Sequence, residues 1–392
     1  MASAMKFVLY SPTISPHQIP MVEEMIRRVG LEECRYVYSR LMTEERRSIG
    51  WSEEKKSWML SESDNGTKEA LRNAQIVISG IRNLELFKDR SKANKITIYT
   101  SERWFKPSLG ILRLIKCSYI KMAIDFVRLL REAPLFYYYP IGIHAAADMA
   151  RLCGLVHGDL SCLFKVPELD FDHRPGGKVW LKDGGDGKKY CLDKMRMWGY
   201  YVEPSRTVTV PVQEVSKAKP QEIKVLWVGG LLNLKRVDTI VRAVGEHASL
   251  KRVDNLLPKI TLDIYGFGPE ETKLRRLAAK YGDVIKFYPP VPISEVRRLM
   301  REHDVYVLSS NEYEGWGAVV SEALEEGMKV VGTYEAGSSA TILPESNLFN
   351  AGDWKGLLNL FNASGKSADI GNWNAEFAAR WLVENCNTEN MI

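Results

Sequence analysis

The sequence predicts an α/β protein made of two doubly wound domains with parallel sheets. Short runs of strand-forming residues alternate with longer helical patterns in both halves of the chain, which is typical of parallel sheets covered by helices on both faces. The chain has 392 residues, more than the roughly 100–200 residues of one ordinary domain. A polar stretch with three prolines at residues 204–222 predicts an interdomain linker.

The N-terminal half, residues 1–203, is predicted to form the first domain. Its strand runs cover residues 5–10, 34–39, 74–80, 95–100 and 135–139. Its helical patterns cover residues 18–29, 68–73, 111–131 and 144–163. Residues 166–193 are rich in glycine and charge, which predicts a tight turn or a mobile loop, and residues 198–202 predict a short strand.

The C-terminal half repeats this plan over residues 223–370, the predicted second domain. Its strand runs cover residues 223–228, 260–265, 284–288, 304–309 and 329–333. Its helical patterns cover residues 237–247, 270–281, 294–302 and 318–325. The remaining residues, 371–392, contain a pattern that predicts one more helix.

Composition narrows the class of protein. The net charge of +5 is modest for this length and does not indicate a nucleic-acid partner. The six cysteines form no Cys-x-x-Cys pair, so they are expected to be reduced thiols of a cytoplasmic protein rather than a disulfide framework or metal ligands. The opening residues do not form a secretory signal, and no run reaches the roughly 20 apolar residues of a membrane-spanning helix.

Two glycine-containing turns follow predicted strands of the second half. In the first, Gly229 and Gly230 end a strand and Lys235 opens a helix, an arrangement that favours an anion at the helix start. In the second, Gly266 and Gly268 follow the next strand, at the edge where open α/β sheets bind ligands. The alternative interpretations are ordinary tight turns, the first with a surface lysine.

The third motif, SSNEYEGWGAVVSEALE, joins a predicted strand to a helix. Glu314 lies in its loop and Glu322 about one turn into the helix. Gly315 and Gly317 flank Trp316, so backbone N–H groups are expected at the helix start, where they can bind phosphate while the carboxylates accept sugar hydroxyls. The alternative is a capped surface helix with solvated acids.

In combination and in this order, the three motifs make residues 223–337 resemble the donor-binding domain of the retaining family 4 glycosyltransferases. That family has the GT-B fold, in which two Rossmann-like domains face each other across a cleft, and the first half of this chain is similar to it in architecture alone. The resemblance implies that Lys235 grips the donor diphosphate, that Glu314 contacts the donor sugar and that Glu322 holds the ribose hydroxyls. It also implies that Pro292 lies beside the nucleobase. The family has an arginine where this chain has Gly230.

Three polar side chains at predicted strand ends of the first half are candidates for the acceptor side. They are His17, Glu102 and His144. The resemblance implies that the N-terminal domain binds the acceptor and that His144 lies near the donor sugar, which makes it a catalytic candidate with Lys235 and Glu314. The alternatives are a proline-fixed surface loop for His17, a capping acid for Glu102 and a structural histidine for His144.

Residues 103–131 combine seven basic side chains with one acid, Asp125, and many apolar residues. This pattern is typical of a helix that lies on an anionic bilayer, which would place the protein peripherally on the inner face of a membrane. The alternative is a helix packed on its own sheet with a solvated basic edge.

The resemblance therefore implies transfer of a hexose-type sugar from a nucleoside diphosphate to a hydroxyl of a glycan or lipid-linked acceptor, with retention of anomeric configuration. Family habit indicates cell-surface polysaccharide or glycolipid assembly. The nucleotide sugar is a co-substrate; no other cofactor is expected, and no clustered histidines indicate a metal. Two alternatives remain open, a sugar-nucleotide epimerase and a non-catalytic sugar-nucleotide-binding subunit.

Overall fold

The chain divides into two compact units, each treated below as a domain. The structure is a computed structural model, and the residues that it describes are 5–44, 55–107, 109–204, 222–251, 257–362 and 373–386. The first unit comprises Met1–Glu203 together with Gly371–Ile392, and the second comprises Pro204–Ile370. The predicted linker, residues 204–222, lies outside the described residues except at its two ends.

The N-terminal domain is built on a parallel sheet. Its described strands are β1 (Phe7–Ser11), β2 (Cys34–Tyr38), β3 (Met59–Ser61), β4 (Ile76–Ser79), β5 (Ile96–Ser101) and β6 (Phe136–Pro140). Their order across the sheet is β3-β2-β1-β4-β5-β6, so the direction of winding reverses between β1 and β4. The five predicted strands are confirmed to within a few residues. The three residues of β3 are too few to carry a periodic signal.

Helices cover both faces of this sheet. They are α1 (Ile19–Val29), α2 (Thr67–Asn73), α3 (Leu84–Lys92), α4 (Cys117–Glu132) and α5 (Ile143–Val156), with the last helix of the chain, Ala375–Asn385, packed against α1. The predicted helix over residues 111–131 is wrong in its first turn. Residues Gly110–Ile115 form a 3₁₀ turn, and Lys116 is extended before α4 begins. Likewise α5 ends before residue 163, because Gly158 turns the chain with φ +84°.

The helix α3 escapes prediction because most of its residues are polar, yet it carries the most deeply buried charge of this domain's described part. Arg90 is 1% exposed and donates hydrogen bonds to the carbonyl oxygens of Leu71, Ala74 and Ile96 at 2.8, 3.0 and 2.6 Å. Burial lowers the pKa of its guanidinium to about 10. One side chain thereby ties α2, the residues that lead into β4, and β5 to α3.

The segment predicted as a mobile loop, residues 166–193, contains regular structure. Strands β7 (Leu169–Phe171) and β8 (Val179–Leu181) form an antiparallel pair, and two 3₁₀ turns follow at Gly187–Tyr190 and Leu192–Lys194. The predicted strand at residues 198–202 is wrong. There the chain makes isolated bridges, because its aromatic side chains pack into a corner of the domain rather than along a neighbouring strand.

The C-terminal domain has a second parallel sheet of the same design. Its described strands are β9 (Glu222–Val228), β10 (Lys259–Tyr265), β11 (Ile285–Tyr288), β12 (Val305–Leu308), β13 (Lys329–Thr333) and β14 (Leu348–Phe349), in the order β11-β10-β9-β12-β13-β14. Its described helices are α6 (Val237–Lys251), α7 (Glu271–Ala278), α8 (Ile293–Glu302), α9 (Val319–Glu325), α10 (Gly337–Ile342) and α11 (Trp354–Asn362). The final helix of the chain is α12. All predicted elements of this half are confirmed.

Both described sheets are therefore parallel and doubly wound, as predicted. A buried apolar cluster fills the space between the second sheet and α6, with β9, β10 and β12 contributing from the sheet side. The strand order of this sheet reverses between β9 and β12, and ligands of open α/β sheets bind beyond the carboxyl ends of strands at such a point. Among the described residues, no helix has both the length and the apolar character that crossing a bilayer requires.

Candidate functional site

The three sequence motifs of the C-terminal domain follow three neighbouring strands of one sheet. Val228 at the end of β9 lies opposite Tyr265 at the end of β10, and β12 pairs with β9 on its other side. The turns after β9 and β10 are joined by a hydrogen bond from the backbone N–H of Leu231 to the carbonyl oxygen of Phe267 at 2.8 Å. Parallel strands thus bring all three motifs to one sheet edge.

The glycines of the first two motifs are needed because these turns touch. A Cβ atom on Gly266 would lie 1.9 Å from the carbonyl oxygen of Gly229, and one on Gly268 would lie 2.5 Å from the carbonyl oxygen of Leu231. Both glycines also have positive φ angles, +152° and +157°. Close packing of backbone against backbone is therefore one reason for these glycines.

Lys235 ends a 3₁₀ turn, Asn233–Lys235, that is fastened to the loop after β12. The hydroxyl of Ser309 donates to the carbonyl oxygen of Lys235 at 2.7 Å. The ammonium of Lys235 forms an ion pair with the carboxylate of Glu314, and the hydroxyl of Ser310 donates to the same Glu314 oxygen at 2.9 Å. The structure therefore brings together two of the predicted site residues, and it gives the two serines that open the third motif a role that the motif pattern does not predict.

The family arginine has no substitute nearby. Gly230 occupies its place, and the neighbouring cation, Arg236, turns away because its backbone is left-handed with φ +46°. Its guanidinium donates to Asp238 at 3.0 Å, and this pairing raises the pKa of Arg236. Lys235 is therefore the cation that faces Glu314 in the described part of this edge.

The loop of the third motif is held by the start of α10. The N–H of Ser338 donates to the carbonyl oxygen of Trp316 at 2.9 Å, and its hydroxyl donates to that of Gly317 at 2.8 Å. Gly317 has φ +88°, which favours glycine, and the Trp316 side chain is buried. A Cβ atom on Gly337 would lie 2.3 Å from the carbonyl oxygen of Gly315. Trp316 therefore anchors the loop while the neighbouring backbone stays at the sheet edge.

Glu322 lies on α9, half-buried, and its carboxylate has no hydrogen-bond partner among the described residues. Burial raises the pKa of this carboxyl group, while Arg297 partly opposes the rise. The phenol of Tyr306 on β12 has its pKa raised by burial and, to a smaller extent, by the carboxylates of Glu322 and Glu314. Both acids therefore lie near one tyrosine, whose hydroxyl donates to the carbonyl oxygen of Val228 at 3.3 Å.

Pro292 is exposed and caps the start of α8. The nearby ends of β10 and β11 carry two half-buried rings, Tyr265 and Tyr288, stacked with centroids 4.5 Å apart and planes at 13°. None of the described hydrogen bonds or ion pairs joins Pro292 to Lys235 or Glu314, so its placement beside a nucleobase stays a prediction.

The acceptor-side candidates lie in the N-terminal domain, where Tyr200 connects two of them. Its hydroxyl donates to Glu102 at 3.3 Å, and its ring centroid lies 6.2 Å from that of His17. Burial lowers the pKa of His17 to about 4, so its imidazole is neutral near pH 7. His144 lies in the first turn of α5, after Gly142.

With this geometry in place, the chain was compared with known proteins. Residues 212–363 match the family model for glycosyl transferases group 1. The matched region, the group 1 domain, contains every donor-side candidate, from Gly229 to Glu322. It supports a transferase that uses a nucleotide sugar.

One curated relative is the GtfA subunit of the UDP-N-acetylglucosamine–peptide N-acetylglucosaminyltransferase of Streptococcus agalactiae. It is 29% identical to this chain over 152 residues, which are 37% of this chain and 28% of the relative. The match thus spans little more than a quarter of that relative's length.

Solved structures match nearly the whole chain. The lipopolysaccharide outer core galactosyltransferase WaaB has a TM-score of 0.55 at 14% identity, over 99% of this chain and 97% of WaaB. HepE of Anabaena, solved with UDP and glucose, has a TM-score of 0.51 at 12% identity, over 96% and 94% of the two chains. At such low identity these likenesses establish the fold: two parallel-sheet α/β domains of the GT-B class.

Proposed function

We propose that this protein is a retaining glycosyltransferase that moves a hexose-type sugar from a uridine diphosphate donor to an acceptor hydroxyl. The match to the group 1 domain supports transfer from a nucleotide sugar, and the relative named above takes UDP-N-acetylglucosamine as its donor. The observation that carries the proposal is the contact between Lys235 and Glu314 at the edge of the second sheet.

In the proposed reaction Lys235 binds the diphosphate and stabilises the negative charge that develops as the sugar departs. Its side chain is 24% exposed, so an incoming anion can reach it, and the N–H groups around Gly315 and Gly317 supply further donors. The Lys235–Glu314 ion pair is then the contact that a bound donor replaces. The donor phosphates replace Glu314 as the ion-pair partner of the Lys235 ammonium. The released carboxylate of Glu314 then accepts hydrogen bonds from hydroxyls of the sugar.

Glu322 is assigned to the ribose. Its carboxylate has free acceptor capacity among the described residues, since no described donor binds it. A ribose offers two neighbouring hydroxyl donors, which two carboxylate oxygens can accept together. Such bonds would repay part of the desolvation that raises the pKa of Glu322.

The acceptor is proposed to be a glycan or lipid-linked hydroxyl that binds the N-terminal domain through His17, Glu102 and His144. Neutral His17 can accept a proton, and Glu102 can accept a hydrogen bond from a sugar hydroxyl. Assembly of cell-surface polysaccharide or glycolipid by a cytoplasmic, peripherally bound enzyme is the setting we propose. The donor is a co-substrate, and no metal or other cofactor takes part in this scheme.

The test of this function is release of UDP from a panel of UDP-sugars in the presence of acceptor extracts, with the anomeric configuration of the product read by NMR. Lys235→Ala should lower turnover by about 10²–10³, the range for loss of one charge-stabilising donor. The matched control is Lys224→Ala, at the opposite end of β9, which should leave turnover unchanged. No release from any donor, or an unchanged Lys235→Ala rate, would refute the proposal.

One observation favours a second candidate, a non-catalytic sugar-nucleotide-binding subunit. The place of the family arginine is empty at Gly230, and Arg236 is engaged with Asp238. The same assay separates the candidates. A transferase releases UDP when an acceptor is present, a binding subunit binds the donor without releasing UDP, and an epimerase changes the sugar without any acceptor.

A further inference from the structure

Two segments of the N-terminal domain expose large apolar side chains to solvent. In the 109–120 segment, Leu109, Leu112, Ile115 and Ile120 are 50%, 60%, 74% and 37% exposed. In the 160–166 segment, Leu160, Leu163, Phe164 and Val166 are 68%, 41%, 91% and 42% exposed. Isolated exposed apolar side chains are ordinary, but eight of them in two short segments indicate a surface that binds a partner.

The two segments are joined through α5. The guanidinium of Arg151 donates to the carbonyl oxygens of Cys162 and Leu163, both at 2.6 Å, and lies 5.9 Å from the centroid of the Phe105 ring. The N–H of Phe105 in turn donates to Asp148 of α5 at 2.9 Å. One helix thus fixes the 160–166 segment beside the residues that lead into the 109–120 segment.

The surroundings of these apolar side chains are basic. Lys116, Lys121, Arg128 and Arg131 are exposed, and among the described residues none of them has an ion-pair partner. Of the two acids of α4, Asp125 lies 3.6 Å from the ammonium of Lys88, and Glu132 is exposed at the end of the helix, next to Arg131. The uncompensated charge beside the exposed leucines is positive.

Packing on the sheet accounts for the apolar side chains of α4 but not for those of the 3₁₀ turn before it. Ala123, Phe126, Val127 and Leu130 of α4 are buried, and Phe126 contacts the rings of Tyr99 and Trp104. The helix itself is therefore an ordinary sheet-covering helix with a basic edge. The 3₁₀ turn Gly110–Ile115 has no buried residue, so its apolar side chains do not serve the core.

We propose that the 109–120 and 160–166 segments together form one docking surface for an anionic lipid bilayer. Apolar side chains on short turns can enter the boundary between headgroups and acyl chains, while nearby lysines and arginines bind anionic headgroups. Charge complementarity favours this occupant over a protein partner. The sequence pointed to residues 103–131, and the structure adds the 160–166 segment. The surface is independent of donor binding.

Co-sedimentation of the full chain with lipid vesicles tests this surface. Vesicles of phosphatidylcholine mixed with phosphatidylglycerol should bind the protein, and vesicles of phosphatidylcholine alone should bind it far less. Phe164→Asp and, separately, Ile115→Asp should each weaken binding by about tenfold or more, since each removes an apolar side chain from the interface and adds a repelled charge. High salt should weaken binding further.

The matched control is Leu41→Asp. Leu41 is 60% exposed, as Leu112 is, but it follows β2, which is separated from β5 by β1 and β4. This variant should bind vesicles as the wild type does, and all variants should keep their affinity for UDP, which shows that they are folded. The proposal is overturned if wild-type protein ignores anionic vesicles, if Phe164→Asp binds them normally, or if the surface instead mediates self-association that Phe164→Asp abolishes.

Discussion

At the scale of single residues, the contact between Lys235 and Glu314 is one that a donor diphosphate can readily replace. Both side chains are partly exposed, at 24% and 13%, and ion pairs near solvent contribute only about 0–1 kcal/mol. A diphosphate offers the ammonium more negative charge than one carboxylate does. Exchange of Glu314 for donor phosphate is therefore inexpensive, and the hydroxyl of Ser310 keeps a bond to Glu314 that can hold it in place.

Glu322 provides a test at the same scale, because its raised pKa means that the ionised carboxylate is disfavoured in the folded state. For an acid with a raised pKa, the unfavourable contribution is present above the folded-state pKa and disappears as pH falls below the unfolded value. Glu322→Gln should therefore raise Tm near pH 7 and leave it unchanged in acid. The same variant should bind UDP about tenfold more weakly, through loss of a charge-assisted hydrogen bond.

The control for this variant is Glu345→Gln, an exposed acid of the same domain, which should change neither Tm nor affinity. Thermal melts across pH and calorimetric titration with UDP provide the two readings. A Glu322→Gln protein that melts lower at every pH would show that the carboxylate stabilises the fold, and full affinity for UDP would remove it from the donor site.

At the scale of elements, the donor edge depends on how closely the turns after β9 and β10 approach each other. The structure places the backbone of Gly266 against the carbonyl oxygen of Gly229, which leaves no space for a side chain. The two turns are therefore packed closely against each other, and Lys235 follows the first of them. Displacement of either turn would move the ammonium relative to Glu314.

Gly266→Ala should lower the free energy of unfolding by about 2–4 kcal/mol, because a methyl group would overlap a backbone oxygen that cannot move alone. Gly327→Ala is the comparison, since Gly327 has φ +80° but open space around its Cβ position. It should cost only about 1 kcal/mol, the effect of φ by itself. Urea denaturation measures both, and equal costs would mean that the contact between the turns is unimportant.

The helices and strands also show how much of the fold and the site can be predicted from the sequence. Buried parallel strands are rich in apolar and β-branched residues, so β9, β10, β12 and β13 were predictable, and their order brought the three motifs together. Short or polar elements such as α3, α10 and β14 carry too few periodic positions to be recognised. At the site, Lys235 and Glu314 follow from motif spacing. The roles of Ser310, Tyr306 and Ser338 do not, because a single polar residue, even inside a motif as Ser310 is, does not reveal its partner until the fold brings it near the carboxylates and the loop.

At the scale of the whole molecule, the match to the group 1 domain lies in the second half of the chain, whereas the fold match covers both halves. The family model covers residues 212–363, whereas WaaB aligns over 99% of the chain at 14% identity. Donor chemistry is thus recognisable in sequence, but the N-terminal domain is recognisable in fold alone. The His17–Tyr200–Glu102 contacts and the exposed 109–120 and 160–166 segments lie in that domain.

The central claim is that Lys235, Glu314 and Glu322 form one binding site for the nucleotide part of a sugar donor. Calorimetric titration of UDP into wild-type protein, Lys235→Ala and Lys224→Ala tests it most directly. The account predicts that UDP binds the wild type and Lys224→Ala equally, and Lys235→Ala at least about tenfold more weakly, as loss of a charged hydrogen bond implies. Equal affinity of all three proteins for UDP, or no binding to the wild type, would contradict it.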